Sequence, residues 1–326
     1  LQAAAFAQPG SPADRQAKAA ALGVAEQALA TARATAIAQM QAGPNRLSVA
    51  QLEDVKRGAN GVAGLAPKKR LLIWADTRNG VSQHDFTSHA MAIIERMGYE
   101  SGLWDTYIRT DSEIISYQPQ KTTGGNASGG PSLNNVDAIF SLAHREAPLS
   151  ASQKADLLKF VRDDGKGFVT GHTGLTAMSE WPEFREMIGG DFGGHNIGYP
   201  HTLVVEDPKW PGVSGFPARV EMSEEWYHLL NYSREKIHVI LRLDLSKFEG
   251  ANAAVQAGNG DFPVAWARQY GKGRVFGSTF AHVTETWDNP MIQSMYFEAI
   301  KWALKLQDAD VTPRPVPAGV SIPKKP

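Results

Sequence analysis

Histidines follow several of the predicted strands, where their side chains could bind a ligand or transfer a proton. His84 lies shortly after the first predicted strand, His172 ends the fourth, and His282 follows a late strand. His195 ends a glycine-rich segment that begins at Gly189. Ligand sites in open α/β sheets form beyond the carboxyl ends of the strands, so we expect these imidazoles to meet there. Imidazole titrates near neutral pH and is the commonest metal ligand in proteins.

The spacing of the histidines along the chain does not by itself indicate a metal. The sequence has no H-E-x-x-H motif, which would place two imidazoles on one helix face. His84 and His89 are five residues apart, off the i, i+4 spacing that brings side chains together on a helix. The sequence therefore leaves the metal and the cofactor unassigned.

The turn Gly171-His172-Thr173-Gly174 follows a predicted strand and precedes a helical pattern. In a nucleophile elbow, a turn of this kind presents a serine or cysteine. Here it presents a histidine, so we interpret His172 as a binding or acid–base residue and not as a covalent nucleophile.

A second candidate group is the acidic and aromatic segment from Glu224 to His228. Glu225 is a candidate general base, with His172 or His282 as the acid, because such a pair works when its environments separate the two pKa values. Indole rings offer sugars an apolar platform with a polar handle. We predict the catalytic residues His172, Glu225 and His282, and the substrate-binding residues His84, Arg78, His195, Trp226 and Tyr227.

Composition limits the classes of function. The 326 residues include no cysteine, which excludes thiolate metal sites and cysteine nucleophiles. A formal net charge of −1 gives no reason to expect a nucleic-acid partner. No apolar run approaches the roughly 20 residues of a membrane-spanning helix. The motif Ala5-Phe6-Ala7 has the A-x-A form of a signal-peptidase site, so we expect a periplasmic or secreted protein.

The pattern of apolar residues predicts an α/β domain. Residues 70–75 form a continuous apolar run that is typical of a buried parallel strand. A helix is predicted over residues 85–97, ending at Gly98, and further strands over 99–104, 136–142 and 167–171. This βαβα alternation predicts a parallel sheet with right-handed crossovers. Later segments predict mixed or antiparallel strands, including a hairpin around Tyr270-Gly271-Lys272.

Three regions follow from the composition of the chain. Residues 1–67 form an extension: an export-signal remnant, a helix over residues 12–41, a second helix over 48–57 and a linker rich in glycine and alanine. Residues 68–308 form the α/β domain, and residues 309–326 form a Pro-rich tail. The N-terminal helices and the tail are the segments through which a protein partner could bind.

Several stretches of the domain resemble the ThuA-like (trehalose-utilisation) family. They are the segment with His84 after the first strand, Gly167–His172 with Trp181 downstream, Met187–His195, Glu224–Tyr227, and Pro263–Trp266 followed by Gly271–Phe276 and His282. The resemblance covers about residues 69–306 and carries over His84, His172, His195, Glu225, Tyr227 and His282. Trp210-Pro211 and Glu224-Glu225 stand where the family commonly has His-Pro and Asp-Glu.

The resemblance implies a flavodoxin-like fold related to class I glutamine amidotransferases, with a parallel or mixed sheet flanked by helices. Glutamine hydrolysis is not expected, because the chain has no cysteine. The family is linked to the use of trehalose and related disaccharides, often beside oxidoreductases that make 3-keto sugars.

Two functions are compatible with the sequence. One is an enzyme that acts on a small-molecule carbohydrate, a sugar or keto-sugar, by hydrolysis, isomerisation or elimination. The other is a non-catalytic carbohydrate-binding or structural subunit of an exported protein assembly. The sequence alone does not decide whether the chain is an enzyme.

Overall fold

The chain divides into two units, Leu1–Pro67 and Lys68–Pro326. The computed structural model describes residues 12–13, 16–21, 23–24, 27–28, 31, 68–76, 84–118, 131–145, 149–195, 197–198, 200–250, 255–256 and 258–322. The described residues of the first unit are helical, and all of them lie within the predicted helix over 12–41. The predicted helix over 48–57 and the motif at 5–7 lie outside the described residues.

The second unit is built from strands and helices that alternate along its first half. Its strands are β1 (Lys69–Trp74), β2 (Trp104–Arg109), β3 (Ala138–Ser141), β4 (Gly167–Gly171), β5 (Asp191–Phe192), β6 (His201–Val205), β7 (Arg219–Met222), β8 (Leu229–Leu230), β9 (His238–Asp244), β10 (Pro263–Tyr270) and β11 (Gly273–Ser278). Its α-helices are α1 (Phe86–Ser101), α2 (Ala151–Arg162), α3 (Pro182–Ile188), α4 (Thr284–Asp288) and α5 (Pro290–Ala303). Among the described helices, none is long and apolar enough to cross a membrane.

The main sheet joins a parallel half to an antiparallel half. In the described part of the chain its strand order is β2-β1-β3-β4-β11-β10-β9-β6-β7. The first five strands pair in parallel, and each later pair is antiparallel, including the predicted β10–β11 hairpin. The order β2-β1-β3-β4-β11 matches the 2-1-3-4-5 order of flavodoxin-like sheets. The predicted fold class is therefore confirmed.

Helices cover both faces of the sheet because successive strand residues point to opposite sides. Leu71 and Ile73 of β1 belong to an apolar cluster with α1 and α5. Leu72 and Trp74 belong to a second cluster with α2 and α3. All four side chains are fully buried, which explains why β1 reads as a continuous apolar run. The rigid sheet between these layers fixes the positions of the loops at its edges.

The prediction of a strand over residues 99–104 was wrong. Helix α1 continues through Gly98 and ends at Gly102, which has a φ of 68° and donates its backbone N–H to the Gly98 carbonyl. A Cβ at Gly98 would lie 2.3 Å from Nε1 of Trp104. Gly98 is thus required for the close packing of α1 against the first residue of β2, and it does not end the helix.

The Pro-rich tail contacts the domain at the start of β9. The buried His238 lies with Nε2 2.8 Å from Oδ2 of Asp207, and its Nδ1 donates to the Thr312 carbonyl at 2.7 Å. Arg314 forms a 3.3 Å ion pair with Asp207. The beginning of the tail is therefore held by polar contacts to the antiparallel half of the sheet.

We predict that Gly98→Ala destabilises the domain, although alanine has the higher helix propensity. The added methyl group would overlap the Trp104 indole, and overpacking of this kind costs about 1–3 kcal/mol. The control is Ala92→Gly at an exposed position of α1, where glycine should cost about 1 kcal/mol. Urea unfolding measures both free energies. A Gly98→Ala variant more stable than the wild-type chain would contradict this account of the packing.

Candidate metal centre

Four side chains from distant segments meet at the carboxyl edge of the parallel strands. His84 precedes α1, His172 follows β4, Glu225 follows β7 and His282 follows β11. Each offers one nitrogen or oxygen atom, and these four atoms all lie within 4.8 Å of one another. Since β1, β4 and β11 are parallel, the loops after them must leave the sheet at the same edge. This sheet geometry brings three of the predicted histidines together.

Three of these atoms have the mutual separations of ligands around one metal ion. His172 Nε2 lies 3.0 Å from His282 Nδ1 and 3.2 Å from Glu225 Oε2, and His282 Nδ1 lies 3.0 Å from the same oxygen. Metal–ligand bonds of about 2.0–2.2 Å at angles near 90–110° place neighbouring ligand atoms about 3.0–3.5 Å apart. The donor set of imidazoles and a carboxylate therefore fits a metal ion in geometry as well as in type.

The protonation of His172 is fixed by its contact with the backbone. Nδ1 of His172 lies 2.9 Å from the Thr279 carbonyl oxygen, which can only accept a hydrogen bond. Nδ1 must therefore carry the proton, and the lone pair on Nε2 faces His282 and Glu225. Metal-ligating histidines commonly donate their second nitrogen in this way, which orients the ring and fixes its tautomer.

A tight turn presents His172 to the cluster. Its φ is 37°, in the left-handed region that side chains rarely adopt. A Cβ at Gly174 would lie 1.9 Å from Oγ1 of Thr170 and 2.8 Å from the Ser141 carbonyl oxygen. A Cβ at Gly171 would lie 2.5 Å from the Tyr296 hydroxyl. Gly171 is the last residue of β4 and Gly174 lies in the 3₁₀ helix His172–Leu175, so both glycines allow the close packing around the turn that carries His172.

The electrostatics of the cluster favour the forms that bind metals. Burial lowers the pKa of His84 to about 4, and the neighbouring imidazoles act in the same direction. Burial also lowers the pKa of His172. Burial alone would raise the pKa of Glu225, but the hydrogen bond that its carboxylate accepts from His282 and the neighbouring imidazoles outweigh this and hold the pKa well below its usual range. Near neutral pH the site therefore has two neutral imidazoles and an ionised carboxylate, as metal binding requires.

The fourth member of the cluster responds differently. A hydrogen bond to Glu225 raises the pKa of His282, so a proton on this imidazole occupies the space between the two groups when no cation does. A metal ion and this proton would compete for the same lone pairs.

Two further predicted residues surround Glu225. The Tyr227 ring stacks on His172 with centroids 3.9 Å apart, and burial raises the pKa of its hydroxyl far above neutrality, so the phenol stays protonated. His195 Nδ1 lies 3.0 Å from Glu225 Oε1, the oxygen that faces away from the other histidines. The His195 side chain is 46% exposed, so it lies between the cluster and solvent.

A cavity of about 520 Å³ opens beside the cluster. Its volume lies within the usual range for small-molecule sites. His84 and His282 belong both to the cluster and to the cavity wall, so a molecule in the cavity would contact the cluster. The other lining residues are Asp85, Phe86, Val283, Thr284 and Glu285.

The structure brings most of the sequence-predicted site residues together, with two exceptions. His84, His172, His195, Glu225, Tyr227 and His282 form one polar group. Trp226 was predicted to bind substrate, but its indole is fully buried against Phe280 and cannot reach a sugar. Arg78 lies outside the described residues.

Some neighbours of the cluster were not predicted as site residues. His144, after β3, stands edge-on to His84 with ring centroids 4.9 Å apart. The sequence signal that could have assigned His144 to the site was its position at the end of a predicted parallel strand. Glu224 is buried next to Glu225 in the chain. The only signal in the sequence was that two glutamates follow one another, which indicated that one of them could have a structural role.

Comparison with known proteins places the domain among described families. The model of the ThuA family, described as trehalose utilisation, matches residues 70–303. No curated protein sequence matches the chain significantly.

Solved structures resemble the domain at low sequence identity. A ThuA-like protein from Bacteroides uniformis is 19% identical, with a TM-score of 0.58, and the match covers 75% of this chain and 95% of that one. A ThuA-like protein from Parabacteroides merdae is 16% identical, with a TM-score of 0.53, and the match covers 78% and 95%. At these identities the likeness shows a shared fold.

We predict that Gly174→Ala destabilises the domain by about 1–3 kcal/mol, because the methyl group would overlap Thr170 and the Ser141 carbonyl and displace the turn. Gly215→Ala is the matched control, since nothing lies within 4 Å of a Cβ built there. Urea unfolding compares the two variants. Equal stability of Gly174→Ala and Gly215→Ala would show that the turn tolerates a side chain at residue 174.

Proposed function

Because this chain belongs to the ThuA family of trehalose-utilisation proteins, we propose that it is a metal-dependent enzyme that acts on a sugar or keto-sugar. The observation that carries the proposal is the convergence of His172 Nε2, His282 Nδ1 and Glu225 Oε2 at separations of 3.0–3.2 Å, with His84 beside them. Imidazole and carboxylate ligands suit divalent ions such as zinc, manganese, iron and cobalt. When bound, such an ion would polarise a carbonyl or hydroxyl oxygen of the sugar.

In this proposal the roles of Glu225 and His172 differ from those predicted from the sequence. A carboxylate with a strongly lowered pKa is a weak general base, so Glu225 is better suited to hold the ion. His172 is fully buried and its Nδ1 proton is held by the Thr279 carbonyl, which leaves no proton to donate to a substrate. Both residues, with His84 and His282, would act as ligands.

His195 is the group that can move a proton in this proposal. His195 Nδ1 lies 3.0 Å from Glu225 Oε1, an oxygen that can only accept, so a proton on Nδ1 would leave the lone pair of the imidazole on Nε2. The half-exposed ring can present that nitrogen to a substrate or a water molecule. Tyr227, a protonated phenol beside Glu225, can donate a hydrogen bond and limit access of water to His172.

The cavity beside the cluster supports a polyhydroxylated substrate. Asp85 and Glu285 offer carboxylates that accept hydrogen bonds from hydroxyl groups, and Thr284 can donate one. Val283, which is 40% exposed, offers an apolar contact to the C–H face of a sugar. In this proposal the residues of the cavity wall, and not Trp226, bind the sugar.

The proposal is tested by metal content and turnover of a 3-keto-disaccharide in the same preparation. We predict that chelation abolishes turnover and that one divalent ion per chain restores it. Glu225→Gln and His282→Ala should each lower turnover by more than about 100-fold, because even changes outside the ligand set of metal sites cost 10–100-fold. His201→Ala is the control, since His201 bonds the Ile197 carbonyl outside the cluster.

The outcomes separate the metal centre from the reaction. Metal binding that depends on Glu225 and His282, without turnover of any sugar or keto-sugar, would reject the enzymatic function and leave the metal centre. Turnover by the chelated chain at the wild-type rate would reject the metal centre as the seat of the activity.

A further inference from the structure

We infer that Glu224 is a positioning residue for the metal centre: its carboxylate joins the two segments that carry Glu225 and His282 and adds a second negative charge next to the ion. This inference rests on the metal centre proposed above. It concerns a residue that contributes no atom to the cluster itself.

The Glu224 carboxylate accepts three hydrogen bonds. Oε1 accepts from the backbone N–H of Glu225 at 2.8 Å and from the backbone N–H of His282 at 3.0 Å. Oε2 accepts from the Thr286 hydroxyl at 2.7 Å. Glu224 and His282 are 58 residues apart in the chain, so one oxygen fastens the backbones of two ligand-bearing segments to each other.

The contact acts on the same ligands that define the cluster. Glu225 Oε2 and His282 Nδ1 lie 3.0 Å apart, and the backbone of each residue is held by Glu224 Oε1. Loss of this shared acceptor would free the two backbones to move independently. Displacement by a few tenths of an ångström matters for a metal site, because ligand distances must stay within about 0.2 Å of their preferred values.

Charge provides a second, independent argument. Glu224 is 3% exposed, and among the described residues no lysine or arginine lies within the 4.0 Å that defines an ion pair with it. Burial of an ionised carboxylate is costly unless hydrogen bonds and opposite charge compensate it. The three donors supply the hydrogen bonds. Together with Glu225, Glu224 places two carboxylates beside the imidazoles, an arrangement that favours a cation at the cluster.

A purely structural role would have a different consequence. Glu224 also contacts Thr286 of α4, so its removal could loosen that helix without any effect on metal ligands. Such loosening would lower the stability of the domain equally with and without metal. The inferred role instead lowers the affinity for the ion and changes the geometry around it.

The experiment uses Co²⁺ as the probe, in the full chain carrying Glu224→Gln. The variant keeps the size of the side chain but removes its charge and turns one acceptor into a donor. Titration calorimetry should show a Kd for Co²⁺ about 10–100-fold higher than in the wild-type chain, as for other partners of metal ligands. The visible absorption of bound Co²⁺, which depends on ligand geometry, should also change. Glu221→Gln, an exposed carboxylate on β7, is the matched control and should behave like the wild type.

The outcomes distinguish this inference from the proposed function. Unchanged Co²⁺ affinity and absorption in Glu224→Gln would overturn the role of Glu224 alone. Failure of the wild-type chain to bind Co²⁺ would overturn the metal centre and this inference together. If Glu224→Gln does not fold, Glu224→Asp keeps the carboxylate but shortens the side chain, which draws the shared acceptor away from the two backbone N–H groups and should raise the Kd by a smaller factor. An unchanged Kd in that variant would then count against the inference.

Discussion

Both oxygens of the Glu225 carboxylate contact imidazole rings, and the neighbouring residues hold the carboxylate in this position. Oε2 lies against His172 and His282, and Oε1 lies against His195. Lone pairs that point at a common centre repel one another unless a proton or a cation lies between them. The arrangement therefore depends on hydrogen bonds that hold these residues in place. The Thr279 carbonyl accepts one from the His172 ring, and Glu224 accepts one from the backbone N–H of Glu225 and one from that of His282.

The sheet supplies this support from its two differently built halves. The parallel half positions His172 and His282 because β4 and β11 are neighbours whose carboxyl ends share an edge. His195 lies between β5 and β6, and Glu225 lies between β7 and β8; β6 and β7 belong to the antiparallel half, whereas β5 and β8 pair with each other in a separate two-stranded sheet. The centre thus lies where the loops of the flavodoxin-like parallel half meet the loops around β6 and β7. A ligand in the cavity would contact residues that follow β1 and β11, both strands of the parallel half.

The sequence predicts the parallel half of the site better than the rest. Histidines after apolar runs could be placed at one edge because strand direction and burial determine where those loops leave the sheet. The segment around Glu225 forms no strand, so neither the convergence of Glu225 with His172 nor the burial of Trp226 follows from periodicity. The same limit applies to Gly98, where contact with Trp104, a tertiary effect, overrides the tendency of glycine to end a helix.

The strained turn at His172 has a consequence for how this architecture can diversify. Its shape depends on Gly171, Gly174 and the small space around Thr170, and not on the chemistry of the side chain at the apex. Turns of this kind carry serine or cysteine nucleophiles in other α/β enzymes. A single codon at the apex could therefore exchange covalent chemistry for metal ligation while the scaffold stays intact. The same turn can therefore carry different functional residues, so that related proteins can acquire unrelated reactions through few substitutions.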